Sequence, residues 1–347
     1  MEKYNFTQPI IGICVSDQKV SLRTLVKERI NCFDGKATFV IFYLSDLDFN
    51  SLSVRGKYLE DKEGEWKEGT LPFPDVIYLQ SRVDLKIVKK MENVIGRKVF
   101  NTFTLDKFTE AKLLEEHKIL QRHLPYSQKL ESESQLQTLL TTYKNIFLKP
   151  IFGASSKGVI RVTLHPTENI EVHYGTGRRM RVNNFSSIRK FWKWLMPRLS
   201  KNTYLMQQGI QTMKWNGKAT DIRLNLNRNK CGIWEVSALL FRIASNNSHL
   251  IPGPTAIIPI NNLTNLKYDI KKVEEMERSI KELGYKICHA LDLSGHHMAD
   301  LGLDLGMDES GHLWIFEVNS LPHPIRIKDD HSLTLPLDYA FYLASKE

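Results

Sequence analysis

The chain has 347 residues, 42% of them hydrophobic and 25% charged, which describes a globular protein long enough for more than one compact lobe. Lys and Arg outnumber Asp and Glu by 48 to 39, a formal surplus of +9 that favours anionic partners such as nucleotides or acidic substrates without choosing among them. Four cysteines without CxxC or CxxH spacing argue against a disulfide framework or a structural zinc site, and no run of about 18 apolar residues suggests a membrane-spanning helix.

In chain order, the N-terminal MEKYNFTQPIIGICV has no basic segment followed by a long apolar stretch, so no signal peptide is expected. Together with the scattered cysteines this fits a reduced, cytoplasmic location. PIIGICV and ATFVIFYL are short runs rich in β-branched and aromatic residues and read as buried strands. SLRTLVKERINCF between them has helical spacing, and PFPDVIYLQSR supplies a further strand. Residues 1–105 are therefore expected to form an N-terminal α/β lobe. LDKFTEAKLLEEHKILQRHL reads as one helix with Leu113, Leu114, Ile119 and Leu120 on a single apolar stripe. ESESQLQTLLTTY reads as a second helix, NIFLKPIFGASSKGVIRVTL as strand, Gly/Ser loop and strand, and IEVHYGTGRRMRV as a hairpin. FSSIRKFWKWLMPRL is an amphipathic helix, closing a small α+β lobe over 106–203. From 204 to 347 come TYLMQQGI, the hairpin TDIRLNLNRNKCGIWEVSALLFRIA, the strand TAIIPI, and a long helix ending near Ser294-Gly295.

The last hairpin, LGLDLGMDESGHLWIFEVNSLPHP, carries one acid in each apolar run, Asp304 and Glu317. A two-residue loop at Ser310-Gly311 would set these two directly opposite each other, and Asn319 two residues on would share their face. A three-residue loop would break that register. Facing like charges are destabilising unless compensated. A divalent cation such as Mg²⁺ would compensate them, since it takes carboxylate and amide oxygens and prefers sites that phosphates complete. The alternative is an exposed sheet face on which both carboxylates are hydrated.

Phosphate would need cationic and backbone donors elsewhere. Lys149 closes an apolar strand, where an unpaired ammonium is costly. The following loop offers Gly153 and Gly158 for unusual backbone angles and Ser155 and Ser156 as donors, although it is not a GxxxxGK[ST] loop and could be an ordinary hairpin loop. Lys107 opens a helix, where a cation opposes the helix dipole; pairing with Asp106 or Glu110 would account for it equally well. Arg223 follows Asp221 on one strand face and Arg242 lies on the neighbouring strand. They form either a surface Asp–Arg ladder or a pair of cations for a phosphoryl group or oxyanion.

In this order, DK opening a helix, LKP before a Gly-rich loop, QQGI, DIR and GLDLGMDESGHLWIFEVNSLP over residues 106–325 resemble the ATP-grasp superfamily, and within it the YheC/YheD type described as endospore coat-associated. The resemblance implies an ATP-grasp fold, with an N-terminal α/β lobe and two α+β lobes clasping ATP. It implies that Lys107 and Lys149 bind the nucleotide phosphates under the loop from Gly153 to Gly158. Gln207, Gln208, Gly209 and Ile210 would form the hinge against adenine, largely through backbone groups. Asp304, Glu317 and Asn319 would hold one or two Mg²⁺ ions, and Arg223 or Arg242 would face the phosphoryl group or acyl intermediate. D-alanine ligases place an arginine two residues before the first metal aspartate, where this chain has Gly302. After Arg242 the glutamate-ligase pattern has a second arginine and a Gly-Gly turn; this chain has ASNNSHLIPGPT, with Asn246, Asn247 and Gly253.

The implied activity is ATP- and Mg²⁺-dependent joining of a small-molecule or peptide carboxylate to an amine through an acyl phosphate. The rival is a non-catalytic, nucleotide-binding spore-coat or assembly protein that retains the fold, which extends the expected cytoplasmic location to a spore-associated one. Nucleic-acid binding through RRMRVNNFSSIRKFWKWLMPR is disfavoured, because its helical spacing assigns the aromatic residues to a core. His296, His297 and His323 are expected to be bystanders.

Overall fold

The computed structural model describes residues 7–16, 20–102, 106–153, 157–175, 179–199, 203–244, 254–260, 262–263, 269–322, 324 and 331–346. Ser155, Ser156, Asn246, Asn247, Gly253 and His323 lie outside them. Three sheets organise the described residues. In the first, Ile10–Cys14, Thr38–Phe42, Val76–Leu79 and Val99–Phe100 run parallel. The first three are buried along their whole length, as strands covered on both faces must be. Helix Val20–Cys32 makes the first crossover, as its spacing implies. An antiparallel hairpin, Ser53–Leu59 with Lys67–Pro72, extends this sheet beyond Thr38–Phe42. Its mixed, charged alternation gave no clear strand signal.

The second sheet is antiparallel, in the order Arg181–Phe185, Ile170–Tyr174, Ile160–Leu164, Asn145–Pro150, Tyr204–Gln208, Ser127–Lys129. Helices Glu133–Tyr143 and Ile188–Leu199 cover one face, with Leu136, Phe191 and Leu195 packed against Ile146, Leu148 and Val162. Side chains alternate along a strand, so Lys149, next to the buried Leu148, points to the opposite face.

The third sheet runs Pro254–Pro259, Trp234–Ala244, Lys218–Arg228, Asp300–Met307, Leu313–Asn319. Helix Ile270–Leu293 seals one face against Leu224, Leu226, Leu301 and Leu303. The other face therefore carries Asp221, Arg223, Asn225 and Asn227. The C-terminal helix Leu335–Ala344 returns to the first sheet, where Leu337, Tyr339 and Leu343 join its core. Among the described residues no helix is long and apolar enough to cross a membrane.

One expected helix is two. Lys107–Glu115 and Lys118–Gln121 are separated at Glu116 and His117. The break lets Leu114 and Leu120 both reach the core while Ile119 is 57% exposed, so the single stripe with Ile119 does not form. Packing on an edge strand overrides the continuous pattern: Ile315 N–H donates to the His123 carbonyl at 2.7 Å, and Val318 N–H to the Glu110 carboxylate at 2.6 Å. These bonds cover the outer edge of Leu313–Asn319, which would otherwise be open.

A dry polar knot joins the first and third sheets. Arg29 and Asp300, both fully buried, lie 3.2 Å apart. Tyr78 hydroxyl donates to the same carboxylate, and Asn227 Nδ2 donates to its other oxygen at 2.9 Å. Arg29 also donates to the carbonyls of Ser332 and Leu333, and Asn101 amide to those of Asp300 and Ser320.

Candidate active site

Asp304 and Glu317 are direct cross-strand partners, and Gly302 faces Asn319. The turn behind that pairing is not the expected two-residue loop. Asp308 N–H donates to His312 carbonyl at 3.0 Å, enclosing residues 309–311, and the Asp308 carboxylate accepts from Ser310 and His312 N–H. That odd loop would put Asp304 and Glu317 out of register. A β-bulge restores it: Leu305 pairs with Ile315 while Asp304 pairs with Glu317, which leaves Phe316 as the extra residue.

Cations surround the pair. Arg223 Nε lies 3.0 Å from Asp304, and Arg242 Nη2 lies 2.8 Å from the same oxygen. Arg242 also forks onto Asp221 with two contacts of 2.6 Å. Burial alone would lower the Arg242 pKa, but Asp304 and Asp221 outweigh it and raise it. Glu317 is held by Lys107 at 2.5 Å; neither Asp106 nor Glu110 takes that lysine. Asp106 instead caps the helix, accepting from Phe108 and Thr109 N–H, which fixes Lys107 at the first helical position.

Lys149 sits behind Lys107, and its ammonium donates to Gln207 Oε1 at 2.5 Å. Burial pulls its pKa down to about 8, against the opposing pull of Glu317. Among the described residues no carboxylate lies within ion-pair distance of it. A buried cation without a counterion is a costly arrangement that a phosphate would relieve. Lys107 Nζ also reaches Gly153 carbonyl at 3.3 Å, so the start of the Gly-rich loop borders this lysine. Gly158 ends the loop at φ +77°, where a Cβ would meet the Pro150 ring at 2.9 Å; only glycine fits.

The hinge segment joins the same cleft, which Lys107, Glu110, Lys149, Gln207, Ile315 and Phe316 line. Gln208 N–H already donates to Tyr126 carbonyl and Gly209 N–H to Asn145 carbonyl, both at 2.8 Å. Neither of these two N–H groups is left to donate to a base. Asn319 shares the face of the acids, but its Oδ1 accepts from Leu321 N–H at 3.0 Å. Among the described residues no third His, Cys, Asp or Glu joins Asp304 and Glu317 in a metal-binding group. A hard cation there would draw its remaining oxygens from Asn319, phosphate and water, which is how Mg²⁺ is ordinarily held. The donor set fits.

Sequence reasoning treated Glu110 only as a partner for Lys107. Burial, and then the charge of Glu317, pushes its carboxyl up to about 8, and it anchors the backbone beside Glu317. Its spacing of three from Lys107 on one helix was the available signal. Gly302 has a physical reason that sequence could not give. A Cβ there would lie 2.5 Å from Arg223 Nη1, so the guanidinium from the adjacent strand fills the space beside residue 302. Of the bystander histidines, His297 bonds the Tyr339 hydroxyl at 2.6 Å, and burial lowers its pKa to about 4, which suits a neutral structural ring.

Two facing carboxylates held by two arginines and a lysine, with a second, buried lysine in the same cleft, belong to an ATP-grasp fold. D-alanyl-alanine synthetase A from Vibrio cholerae matches 97% of this chain and 98% of its own with a TM-score of 0.58 at 12% identity. The ATP-grasp ligase PsnB, solved with minimal precursor, Mg and ADP, matches 97% and 98% with a TM-score of 0.51 at 14% identity. Within that fold the model of the YheC/D-like ATP-grasp family matches residues 96–343, and the chain belongs to that family. The endospore coat-associated protein YheD of Bacillus subtilis is 25% identical to it, across 97% of this chain and 79% of YheD.

Proposed function

We propose that this chain is an ATP- and Mg²⁺-dependent ligase that joins a carboxylate to an amine through an acyl phosphate. The observation that carries the reading is the Asp304–Glu317 pair set within reach of Lys107, Arg223 and Arg242. On this reading residues 1–105, 106–203 and 204–347 act as three lobes. Lys107 and Lys149 neutralise the nucleotide phosphates, and the loop flanked by Gly153 and Gly158 excludes water from the acyl phosphate. Asp304, Glu317 and Asn319 would hold Mg²⁺, which supplies charge neutralisation at the transferring phosphoryl group. Arg223, with Nη1 directed at Gly302, orients the substrate carboxylate and stabilises its developing oxyanion. Arg242 keeps Asp304 and Asp221 in place. The chemistry is largely positioning, so no Ser–His or Cys–His nucleophile is required.

The test is phosphate release from ATP and Mg²⁺ across amino acids, dipeptides and cell-wall precursors. Turnover with one acceptor that Glu317→Ala abolishes would establish the ligase. A second reading, a nucleotide-binding coat or assembly protein, is favoured by one observation: both arginines are already tied to carboxylates, so the site holds together without substrate. Calorimetric ATP binding without turnover on any acceptor would favour that reading, and no binding at all would remove both.

A further inference from the structure

We propose that the corner of the small lobe formed by the strand Arg181–Phe185 and the outer face of helix Ile188–Leu199 is a docking surface for an extended acidic polypeptide. The first observation is charge segregation. Residues 172–220 hold ten of the 48 Lys and Arg residues and no Asp or Glu, so the rest of the chain is balanced at 38 basic against 39 acidic. The entire +9 surplus therefore comes from this segment.

Six of these cations, Arg179, Arg181, Arg189, Lys190, Lys193 and Arg198, are exposed on the corner. Among the described residues none forms an ion pair. Lys190 donates to the Ser186 hydroxyl and Arg198 to the Trp194 carbonyl, both neutral acceptors. Arg189 and Lys193 are four apart on one helix, a like-charge spacing that is destabilising. The fold gains nothing from that arrangement. The candidate active site does not explain it either, because the helix covers the sheet face opposite Lys149.

The second observation selects the partner. Among the described residues Arg181–Phe185 is the outermost strand of its sheet and pairs on one side only, with Ile170–Tyr174. Such an edge presents a row of free backbone donors and acceptors that an extended peptide can join. Val182, 49% exposed, adds an apolar contact. Charged edges also guard against aggregation, but a guard needs a charge or two on the strand and not four more cations along the helix. The acid on the neighbouring strand, Glu171, faces Asn184 and is engaged by His173 at 2.7 Å and His165 at 3.6 Å. A single-stranded nucleic acid would want open rings for stacking. Here Phe191 is fully buried, and Arg198 covers the Trp194 ring at 3.9 Å.

The test uses the full chain and a fluorescein-labelled Glu/Thr peptide. Fluorescence anisotropy should show saturable, salt-sensitive binding. The triple variant Arg189→Glu, Lys190→Glu, Lys193→Glu, with its fold checked by circular dichroism, should weaken it by about tenfold or more. Hydrogen exchange on the wild-type protein should show the peptide protecting amides in 181–185, which diffuse charge attraction would not do. The proposal is overturned if the folded triple variant binds as tightly as wild type, or if protection falls outside 179–199. It is equally overturned if an oligothymidylate of matched charge displaces the peptide more readily than unlabelled peptide does, since the surface would then be a nucleic-acid site.

Discussion

Asp300 and Asp304 stand four residues apart on one face of one strand, and both carboxylates meet a guanidinium. Asp300 is fully buried, and its partners Arg29, Tyr78 and Asn227 leave it no room for a ligand. Asp304 keeps 21% of its side chain exposed, and its partner Arg223 keeps 15%. A dry pair of this kind is architecture, because removing one partner leaves a charge that nothing solvates. A partly wet pair contributes little stability and can trade its partner for a ligand. The difference between scaffold and site is thus one of water access, with the chemical groups unchanged.

The largest expected effect breaks the dry end. Arg29→Met should cost about 3–5 kcal/mol, because Asp300 is left buried and unpaired. Urea denaturation with the slope unchanged would measure it. A loss under about 1 kcal/mol, the range of an exposed pair, would erase the contrast between the two aspartates.

The middle effect acts at Gly302, between the two aspartates. In Gly302→Ala the new methyl would sit 2.5 Å from Arg223 Nη1 and 2.9 Å from Pro322 Cβ. Overpacking of this kind costs about 1–3 kcal/mol, which a thermal melt would register. On the ligase reading, turnover should fall because Arg223 is pushed aside, while calorimetric ATP affinity stays unchanged because Lys107 and Lys149 are untouched. Loss of both together would mean that Arg223 serves the nucleotide and not the acyl group.

Much of the wet end was legible in sequence, because acids inside apolar strand runs have few bland explanations. The facing of Asp304 and Glu317 follows from the spacing about the turn, yet the route to it does not. A three-residue loop and a bulge at Phe316 together give the register that a two-residue loop alone would have given. The dry end was illegible. Arg29 falls in KERINCF, an unremarkable helical stretch, and its partner is 271 residues away; no local period reports a contact of that range. The break at Glu116 and His117 was hidden for the same reason, since it follows from docking against a strand formed almost 200 residues later.

The smallest effect concerns the buried ammonium beside the wet end. Lys149 carries a pKa of about 8, well under its ordinary 10.5. In the free protein the unfolded chain binds more protons between those values, so Lys149 by itself makes the fold more stable as pH rises through that window. Phosphate binding runs the other way, because only the protonated ammonium attracts it. ATP affinity should therefore fall as pH rises above about 8, by at most tenfold per pH unit for one coupled proton. Lys149→Arg, which keeps its charge throughout, should remove the decline. Calorimetry in Mg²⁺-free buffer separates this from the carboxylates, since any metal contribution is then absent. A flat profile for the wild-type protein would mean that the nucleotide does not reach Lys149, and that the buried cation belongs with Arg29 as scaffold.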